Sequence, residues 1–365
     1  MRSTRRYLDW YSGLDNEDLS RTLMEGVRTL APPARPASIP GENIIFFGSP
    51  GTGKSHEVKG RTASFVTVLT TAFHPDYAYA DFVGAYKAVC GSEPGSNILS
   101  YDGHTLIPRP VVYYEFDPGI CIQAIVAAVS APDQTVALVI DEISRGDCAA
   151  IFGDFLHLLD RDSDGRGSYA INVGVPLGKY LTAAGVLSSP NDTLRLPANL
   201  HILATMNTSD QAIFPMDSAF KRRWSWRAVS SSGAEHPQLA EAVLEQDPAA
   251  PPVKWLAFVE WLNGEILKLT ENEDKRIGPW YIKPREGRIA ASDIRDKLLH
   301  FLWFDVFKGR SDNIFVENLR SFDAVQNAFD TRGINGVLRQ FRLATAETIN
   351  SPASTSEGNP NSSVT

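Results

Sequence analysis

The stretch Gly48-Ser49-Pro50-Gly51-Thr52-Gly53-Lys54-Ser55 matches the phosphate-binding pattern G-x-x-x-x-G-K-[S/T] at every fixed position. The apolar run Ile44-Ile45-Phe46-Phe47 precedes it and predicts a buried strand. In such a loop, glycines let backbone N–H groups face phosphate oxygens, and the following helix N-terminus adds partial positive charge. All eight residues are therefore predicted to hold phosphate, with Lys54 reaching the outer phosphates and the Ser55 hydroxyl binding Mg²⁺.

Five apolar runs follow one another along the chain, with helical or loop segments between them. Strands that alternate with helices predict an α/β fold, in which a mostly parallel sheet is covered by helices on both faces. Ligands of such sheets bind beyond the carboxyl ends of the strands, which is where the motifs of this chain fall. The predicted strands are 44–47, 65–69, 136–140, 200–204 and 224–226.

The 365 residues are too many for one ordinary domain, so we expect a large domain and a smaller one. The net charge of −8 argues against a surface that wraps duplex DNA. The three cysteines form no C-x-x-C pair, which argues against a disulfide framework or a zinc site. No run approaches the ~18 apolar residues of a membrane span, and the basic start lacks an apolar stretch. We therefore expect a cytoplasmic protein without a membrane segment.

Composition shifts predict four segments. Residues 1–40 combine an amphipathic helix with a Pro-rich linker, and 41–230 form the nucleotide-binding domain. Residues 231–345 show helical spacing and predict a smaller helical domain, whereas the Ser/Asn/Pro-rich 346–365 predict a disordered tail. The expected helices of the smaller domain are 237–246, 254–270, 292–308 and 321–342. Two long intervals, 86–112 and 161–198, predict insertions built on turns or hairpins, and we favour a functional role for them.

Two acids, Asp141 and Glu142, follow the predicted strand 136–140 directly. At a strand end beside a phosphate loop, Asp141 would hold Mg²⁺ directly or through water. Glu142 would then polarise the water that attacks the γ-phosphate. Two acids in a surface loop remain the plainer interpretation of this pair taken alone.

The next strand ends in Met206-Asn207-Thr208-Ser209-Asp210. A neutral amide here can hold the attacking water without competing for its proton, so Asn207 is predicted to sense the γ-phosphate. The plainer interpretation is a turn cap, a role that such polar residues favour.

Three cations, Lys221-Arg222-Arg223, close a short predicted helix. Cations at a helix C-terminus complement the helix dipole. We favour a second interpretation, in which Arg222 or Arg223 is an arginine finger that completes the site of a neighbouring subunit. The sequence leaves the choice between the two arginines open, and it leaves open whether Arg145 is another interface cation.

Taken together, these motifs resemble the McrB-type branch of the AAA+ ATPases, the nucleotide-hydrolysing motor subunits of modification-dependent restriction systems. The similarity covers roughly residues 41–320, and the Met-Asn-Thr-x-Asp and Phe-His-Pro motifs are its most selective parts. Ser144 and Asp154 depart from the branch, which usually has Asn and Glu there. The stretches that carry the resemblance are 48–55, 73–83, 115–120, 141–145, 206–210, 219–224 and 276–281.

The resemblance implies a five-stranded AAA+ α/β/α domain with a helical lid. It also implies assembly into a ring, expected to be a hexamer, with nucleotide at the subunit interfaces. A McrC-like nuclease partner is likewise implied. We favour ATP as the substrate, and the resemblance leaves GTP open as an alternative; the expected cofactor is the Mg²⁺ predicted at Ser55 and Asp141. The first forty residues are too short for a DNA-reading domain, so DNA is expected to be contacted through the complex.

Two other functions stay open at this point. The first is a MoxR-type or dynein-related ATPase that remodels protein complexes. The second is a nucleotide-gated scaffold with little turnover, against which the pair Glu142 and Asn207 argues, since a switch can dispense with both.

Overall fold

The computed structural model describes residues 39–101, 103–209, 214–232, 239–245, 253–308 and 313–339. The predicted N-terminal helix and the predicted C-terminal tail lie outside these residues. The strands are β1 (Asn43–Gly48), β2 (Thr67–Ala72), β3 (Gly84–Leu99), β4 (Leu106–Pro118), β5 (Val136–Asp141), β6 (Ile171–Asn172), β7 (Thr193–Leu194), β8 (Leu200–Asn207), β9 (Ser225–Ala228), β10 (Val243–Leu244) and β11 (Arg288–Ile289).

The longest helices of the described residues are Ile120–Ser130, Trp255–Thr270 and Phe322–Arg332, and several others have only three to five residues. Two π-helical stretches occur near residue 300. Ile294–Leu298 lies between two short α-helices, and Leu302–Val306 follows the second of them. The α-helices are α1 (Lys54–Arg61), α2 (Tyr79–Phe82), α3 (Ile120–Ser130), α4 (Cys148–Phe152), α5 (Val175–Ala183), α6 (Ser218–Lys221), α7 (Trp255–Thr270), α8 (Ala291–Asp293), α9 (Leu299–Phe301) and α10 (Phe322–Arg332).

The central sheet has five strands in the order β2-β5-β8-β1-β9, and every neighbouring pair is parallel. The predicted α/β fold and its mostly parallel five-stranded sheet are therefore confirmed. Strand β2 begins two residues later than the apolar run that predicted it. It lies at the edge of the sheet, where only one side is paired, and its residues alternate between half-buried and exposed.

Alternate residues of the central strands enter two separate apolar clusters, because successive side chains of a strand point to opposite faces. Ile45 and Leu138 belong to the larger cluster, which also takes residues of α3 and α4. Ile44 and Val139 belong to the smaller cluster on the other face, against Val58 of α1. Burial on both faces explains why these strands read as continuous apolar runs.

A partly buried arginine fixes the register of the two central strands at their N-terminal ends. The Arg161 guanidinium donates to Asn43 Oδ1 in β1 at 2.8 Å and to the Leu200 carbonyl in β8 at 2.9 Å. Burial lowers the pKa of Arg161 to about 10. Because a slip of one residue would turn every side chain to the wrong face, this anchor also determines which residues meet at the opposite ends of β1 and β8.

Residues 242–338 contribute a second apolar core that is built around α7. Trp255, Val259, Leu262 and Ile266 recur at helical spacing along this helix and are buried. The helix predicted over 237–246 is wrong for the described residues 239–245, which form a turn followed by β10. Strand β10 pairs with the distant β11, and such long-range pairing overrides local helical spacing.

The helix predicted over 321–342 ends early. Helix α10 stops at Arg332, since Gly333 adopts φ 61° and ψ −162°, a conformation outside the helical region that glycine tolerates. A 3₁₀ turn, Ile334–Gly336, follows it. Residues 340–342 lie beyond the part of the chain that the structure describes.

Both long intervals contain antiparallel pairs, as predicted. The first is a long two-stranded ribbon, β3–β4, that pairs from Gly84↔Pro118 to Leu99↔Leu106 with an irregularity after Ser92. Much of its apolar surface is exposed, including Tyr86, Leu99, Tyr101, Leu106, Val112 and Tyr114. The second interval pairs β6 with β7 and holds α5 between them. Of the helices in the described ranges, none is both long and apolar enough to cross a membrane.

Candidate nucleotide site

The phosphate loop joins β1 to α1 at the carboxyl edge of the sheet, and two of its glycines are required by conformation. Gly51 and Gly53 have φ 79° and 96°, which residues with a side chain rarely adopt. The Lys54 ammonium donates to the carbonyls of Gly48 at 3.0 Å and Ser49 at 2.9 Å, so it lies inside the curve of the loop. A cation in this position is placed to meet the phosphate groups that such a loop binds.

Helix α1 begins directly after the loop, with Gly53 as its N-cap. The Gly53 carbonyl accepts the first helical hydrogen bond, from Glu57 N at 2.9 Å. Ser55 lies in the first turn and is exposed. The N–H groups of this turn, and Ser55 with them, therefore lie at the end of the helix that attracts anions.

The register of β1 on β8 places the two ligand-facing motifs side by side. Gly48, the first residue of the loop, is directly opposite Asn207, the last residue of β8. Strand β5 lies on the other side of β8 and ends at Asp141. The structure thus brings the phosphate loop, the acids and Asn207 together at one edge of the sheet.

Thr205 connects the two acids. Its hydroxyl donates to Asp141 Oδ1 at 3.0 Å and accepts the backbone N–H of Glu142 at 3.2 Å. Glu142 has φ 53° and ψ 48°, a left-handed conformation that costs ~1–2 kcal/mol for a residue with a side chain. The Thr205 hydroxyl therefore stabilises a strained backbone that turns the Glu142 carboxylate toward Asn207.

The Glu142 carboxylate has a hydrogen bond on one oxygen and an ion-pair contact on the other. Asn207 Nδ2 donates to Oε1 at 2.6 Å, and the Arg145 guanidinium lies 3.7 Å from Oε2. These contacts fix the orientation of the carboxylate before any ligand binds. They also bring the predicted water-polarising group and the predicted γ-phosphate sensor within direct contact of each other.

Thr205 was not singled out in the sequence, although a signal for it was present. It precedes Asn207 by two positions on the same strand, and side chains two apart along a strand share a face. A polar residue on that face, two positions before the end of the strand, was the clue.

We expect Thr205→Val to lower nucleotide turnover about 10- to 100-fold, because hydrogen bonds to charged groups contribute ~1.5–3 kcal/mol each. Valine keeps the shape but neither donates to Asp141 nor accepts from Glu142. Nucleotide affinity, measured by titration, should change far less than turnover. Thr70→Val, at an exposed position of the edge strand β2, is the matched control; equal turnover in Thr205→Val and the unchanged chain would contradict the role.

The two candidate finger residues differ sharply in their surroundings. Arg223 is 5% exposed, donates from Nε to Asp160 at 2.9 Å and from a terminal nitrogen to the Ala219 carbonyl at 2.7 Å. Arg222 is exposed, and within the described ranges its guanidinium makes no hydrogen bond or ion pair. Arg223 is thus occupied within its own chain, whereas Arg222 faces outward.

A cavity of about 650 Å³ lies between the residues that follow β9 and helix α7. Its walls are residues 230–232, the α7 face that carries Leu256 and Val259, and Arg276. Val229, next to the cavity, donates its backbone N–H to the Phe47 carbonyl at 2.8 Å. The cavity volume is in the range of small-molecule sites in proteins.

The donor set suits magnesium better than a metal that needs many protein ligands. Mg²⁺ binds one or two protein oxygens together with phosphate oxygens and water. The Ser55 hydroxyl and the Asp141 carboxylate, whose Oδ1 is oriented by Thr205, offer such oxygens. No cluster of three or more His, Cys, Asp or Glu side chains that could hold a metal occurs in the described part of the chain.

The parallel sheet carries this loop after β1, acids at the end of β5 and an amide at the end of β8. Together these features define a P-loop nucleotide-binding protein. A model of the AAA domain, dynein-related subfamily, matches residues 43–224. The chain is 31% identical over 318 residues to the Type II restriction enzyme BsuMI component YdiS of Bacillus subtilis (strain 168), covering 80% of this chain and 88% of that one.

A second relative is the Type IV methyl-directed restriction enzyme EcoKMcrB subunit of Escherichia coli (strain K12), which is 29% identical over 243 residues. This match covers 64% of the present chain but only 44% of the relative. A solved putative ATPase from Cytophaga hutchinsonii ATCC 33406 matches over 59% of this chain and 46% of its own length, at 15% identity and a TM-score of 0.30.

This chain belongs to the AAA+ family, as an ATPase of the McrB-like type, and the resemblance seen in its motifs is confirmed.

Proposed function

We propose that this protein hydrolyses a purine nucleoside triphosphate, ATP in the first instance with GTP as the competing candidate, in a Mg²⁺-dependent reaction. The observation that carries the proposal is the register that sets Gly48 opposite Asn207, with Asp141 and Glu142 on the adjoining strand. Phosphate binding and water activation need groups within a few ångströms of each other, and this register supplies them.

The roles follow from charge and position. Lys54 and the N–H groups of residues 48–55 bind the β- and γ-phosphates. Ser55 and Asp141 hold Mg²⁺, which when bound neutralises charge on the phosphate oxygens. Glu142 accepts a proton from the attacking water, and Asn207 donates to the water or the γ-phosphate while it orients Glu142.

The order of the strands supports one orientation of the nucleotide. The acids and Asn207 lie on the β8 and β5 side of β1, whereas β9 and the cavity lie on its other side. Since the γ-phosphate must meet Glu142, the nucleoside extends the opposite way. The cavity walled by residues 230–232 and α7 is therefore the proposed site of the base and ribose.

Arg222 is the proposed arginine finger of a ring in which each subunit completes its neighbour's site. Its exposure and its lack of a side-chain partner in the described residues suit a contact with another copy. Arg223 is committed to Asp160 and instead anchors the end of α6. The different surroundings of the two arginines and the family support a ring assembly, hexameric by the resemblance.

The two restriction-enzyme relatives support a motor subunit of a McrBC-like restriction complex with a McrC-like nuclease subunit, which contacts DNA through the complex. A second candidate is a remodelling ATPase that acts on protein assemblies, which the dynein-related description of the domain model favours. Stimulation of turnover by the nuclease subunit distinguishes the first candidate from the second.

We expect Lys54→Ala to abolish nucleotide binding and turnover, because the phosphates lose the cation that lies inside the loop. Binding of fluorescent ATP and GTP analogues and release of phosphate are measured over a range of protein concentrations, with and without Mg²⁺. Lys59→Ala, an exposed cation on the same helix, is the matched control. Unchanged binding by Lys54→Ala, or no binding by the unchanged chain, would overturn the proposal.

A further inference from the structure

Residues 277–281, here called the strap, lie against the outside of the phosphate loop. Gly278 N donates to the Pro50 carbonyl and Trp280 N to the Gly51 carbonyl, each at 2.8 Å. Both bonds end on carbonyl oxygens of the loop, so neither uses a loop N–H group, the kind of donor that phosphate oxygens need. The strap thus binds the loop through its carbonyl oxygens and leaves the loop N–H groups available for phosphate.

The contact between strap and loop is backbone on backbone, and it depends on two glycines. A Cβ on Gly278 would lie 2.2 Å from the Gly51 carbonyl carbon and from Thr52 N. A Cβ on Gly51 would lie 2.4 Å from Tyr281 N. Gly51 occupies a variable position of the phosphate-binding pattern, so its identity here is explained by the strap as well as by its own φ.

On its other side the strap is fastened to α7. The Asn263 side chain donates to the Ile277 carbonyl and accepts the Ile277 N–H, both at 2.8 Å, and is itself buried. Trp255 Nε1 donates to the Pro279 carbonyl at 2.7 Å. Ile277 is fully buried in the C-terminal apolar core.

These bonds form one continuous connection from the C-terminal core to the phosphate loop. Helix α7 holds Ile277 and Pro279, and the intervening Gly278 and the following Trp280 hold the loop. Asn263 also lines the cavity described above, so one side chain contacts both the cavity and the strap. No motif in the sequence assigns a role to Asn263 or Trp255.

We propose that the strap sets the shape of the phosphate loop, with Asn263 and Trp255 as the positioning residues that hold it. The proposal rests on the proposed function, since it requires that the loop binds nucleotide. It follows that a ligand in the cavity, or a shift of α7, changes the affinity of the loop for phosphate without contacting Lys54 or Glu142.

The test uses the full chain and measures binding of a fluorescent ATP analogue well below the thermal unfolding midpoint of each variant. Asn263→Leu leaves both Ile277 groups unsatisfied, and we expect about tenfold or greater loss of affinity. Asn263→Asp should bind weakly at neutral pH and recover on acidification, because a protonated carboxyl can donate to the Ile277 carbonyl and accept its N–H. Asn263→Leu should show no such recovery.

Gly278→Ala offers a second route, since its methyl group separates strap from loop and leaves the core side chains in place. Its expected result is a similar loss of affinity, whereas Gly60→Ala, in α1 with open space around it, should bind like the unchanged chain. The proposed role of the strap would be overturned if Asn263→Leu and Gly278→Ala bound with wild-type affinity. It would also be overturned if Asn263→Asp showed no recovery of binding on acidification. Failure of the unchanged chain to bind nucleotide would overturn the proposed function instead.

Discussion

Glu142→Gln is expected to bind nucleotide with the affinity of the unchanged chain and to hydrolyse it at least about 100-fold more slowly. A glutamine keeps the oxygen that accepts from Asn207 Nδ2, so the local geometry survives. It cannot accept the proton of the attacking water, so the chemical step fails. Binding is followed by titration with a fluorescent nucleotide analogue, and turnover by phosphate release.

Glu286→Gln is the matched control for this variant. Glu286 is also a glutamate with positive φ, at 51°, but it is exposed and lies in the C-terminal part of the chain. Its turnover should equal that of the unchanged chain. Steady-state turnover in Glu142→Gln at the control's level would remove Glu142 from its proposed role.

Arg222→Ala is expected to lower turnover by a factor on the order of 10³ or more, the range reported for arginine fingers, while leaving the fold intact. Arg223→Ala should act differently. It leaves Asp160 and the Ala219 carbonyl without their buried cation, so its main effect should be a lower thermal unfolding midpoint. Lys221→Ala, an exposed cation at the end of α6, is the control for loss of charge alone.

Mixing experiments distinguish a contact between subunits from one within a chain. A subunit with Arg222→Ala has an intact Glu142, and a subunit with Glu142→Gln has an intact Arg222. If each arginine completes its neighbour's site, a mixture of the two inactive variants should regain part of the turnover. A mixture as inactive as its components would contradict the finger, and full turnover at concentrations where only single copies exist would contradict it too.

The elements that sequence reasoning found are those with local causes. The strand before the phosphate loop, the strands before Asp141 and Asn207, and helix α7 each follow from an apolar run or from helical spacing within the segment itself. The side-by-side placement of the acids and Asn207 followed from a general rule about the carboxyl ends of parallel strands. No long-range contact had to be known in advance.

The features that were missed depend on partners distant in the sequence. Residues 243–244 become a strand because β11 is available, over forty residues further on. The different surroundings of Arg222 and Arg223 depend on Asp160, some sixty residues away. The strap meets the loop across more than two hundred residues, and its two short backbone bonds leave no trace in composition or spacing.

The ribbon β3–β4 has a practical consequence for anyone handling the purified chain. Two-stranded ribbons are marginal alone in water, and this one presents tyrosines, leucines and valines to solvent over most of its length. Pro108 and Pro110 deprive β4 of two backbone donors, which discourages fibril growth by added strands. Self-association of concentrated samples should therefore be reversible, amorphous and relieved by mild detergent.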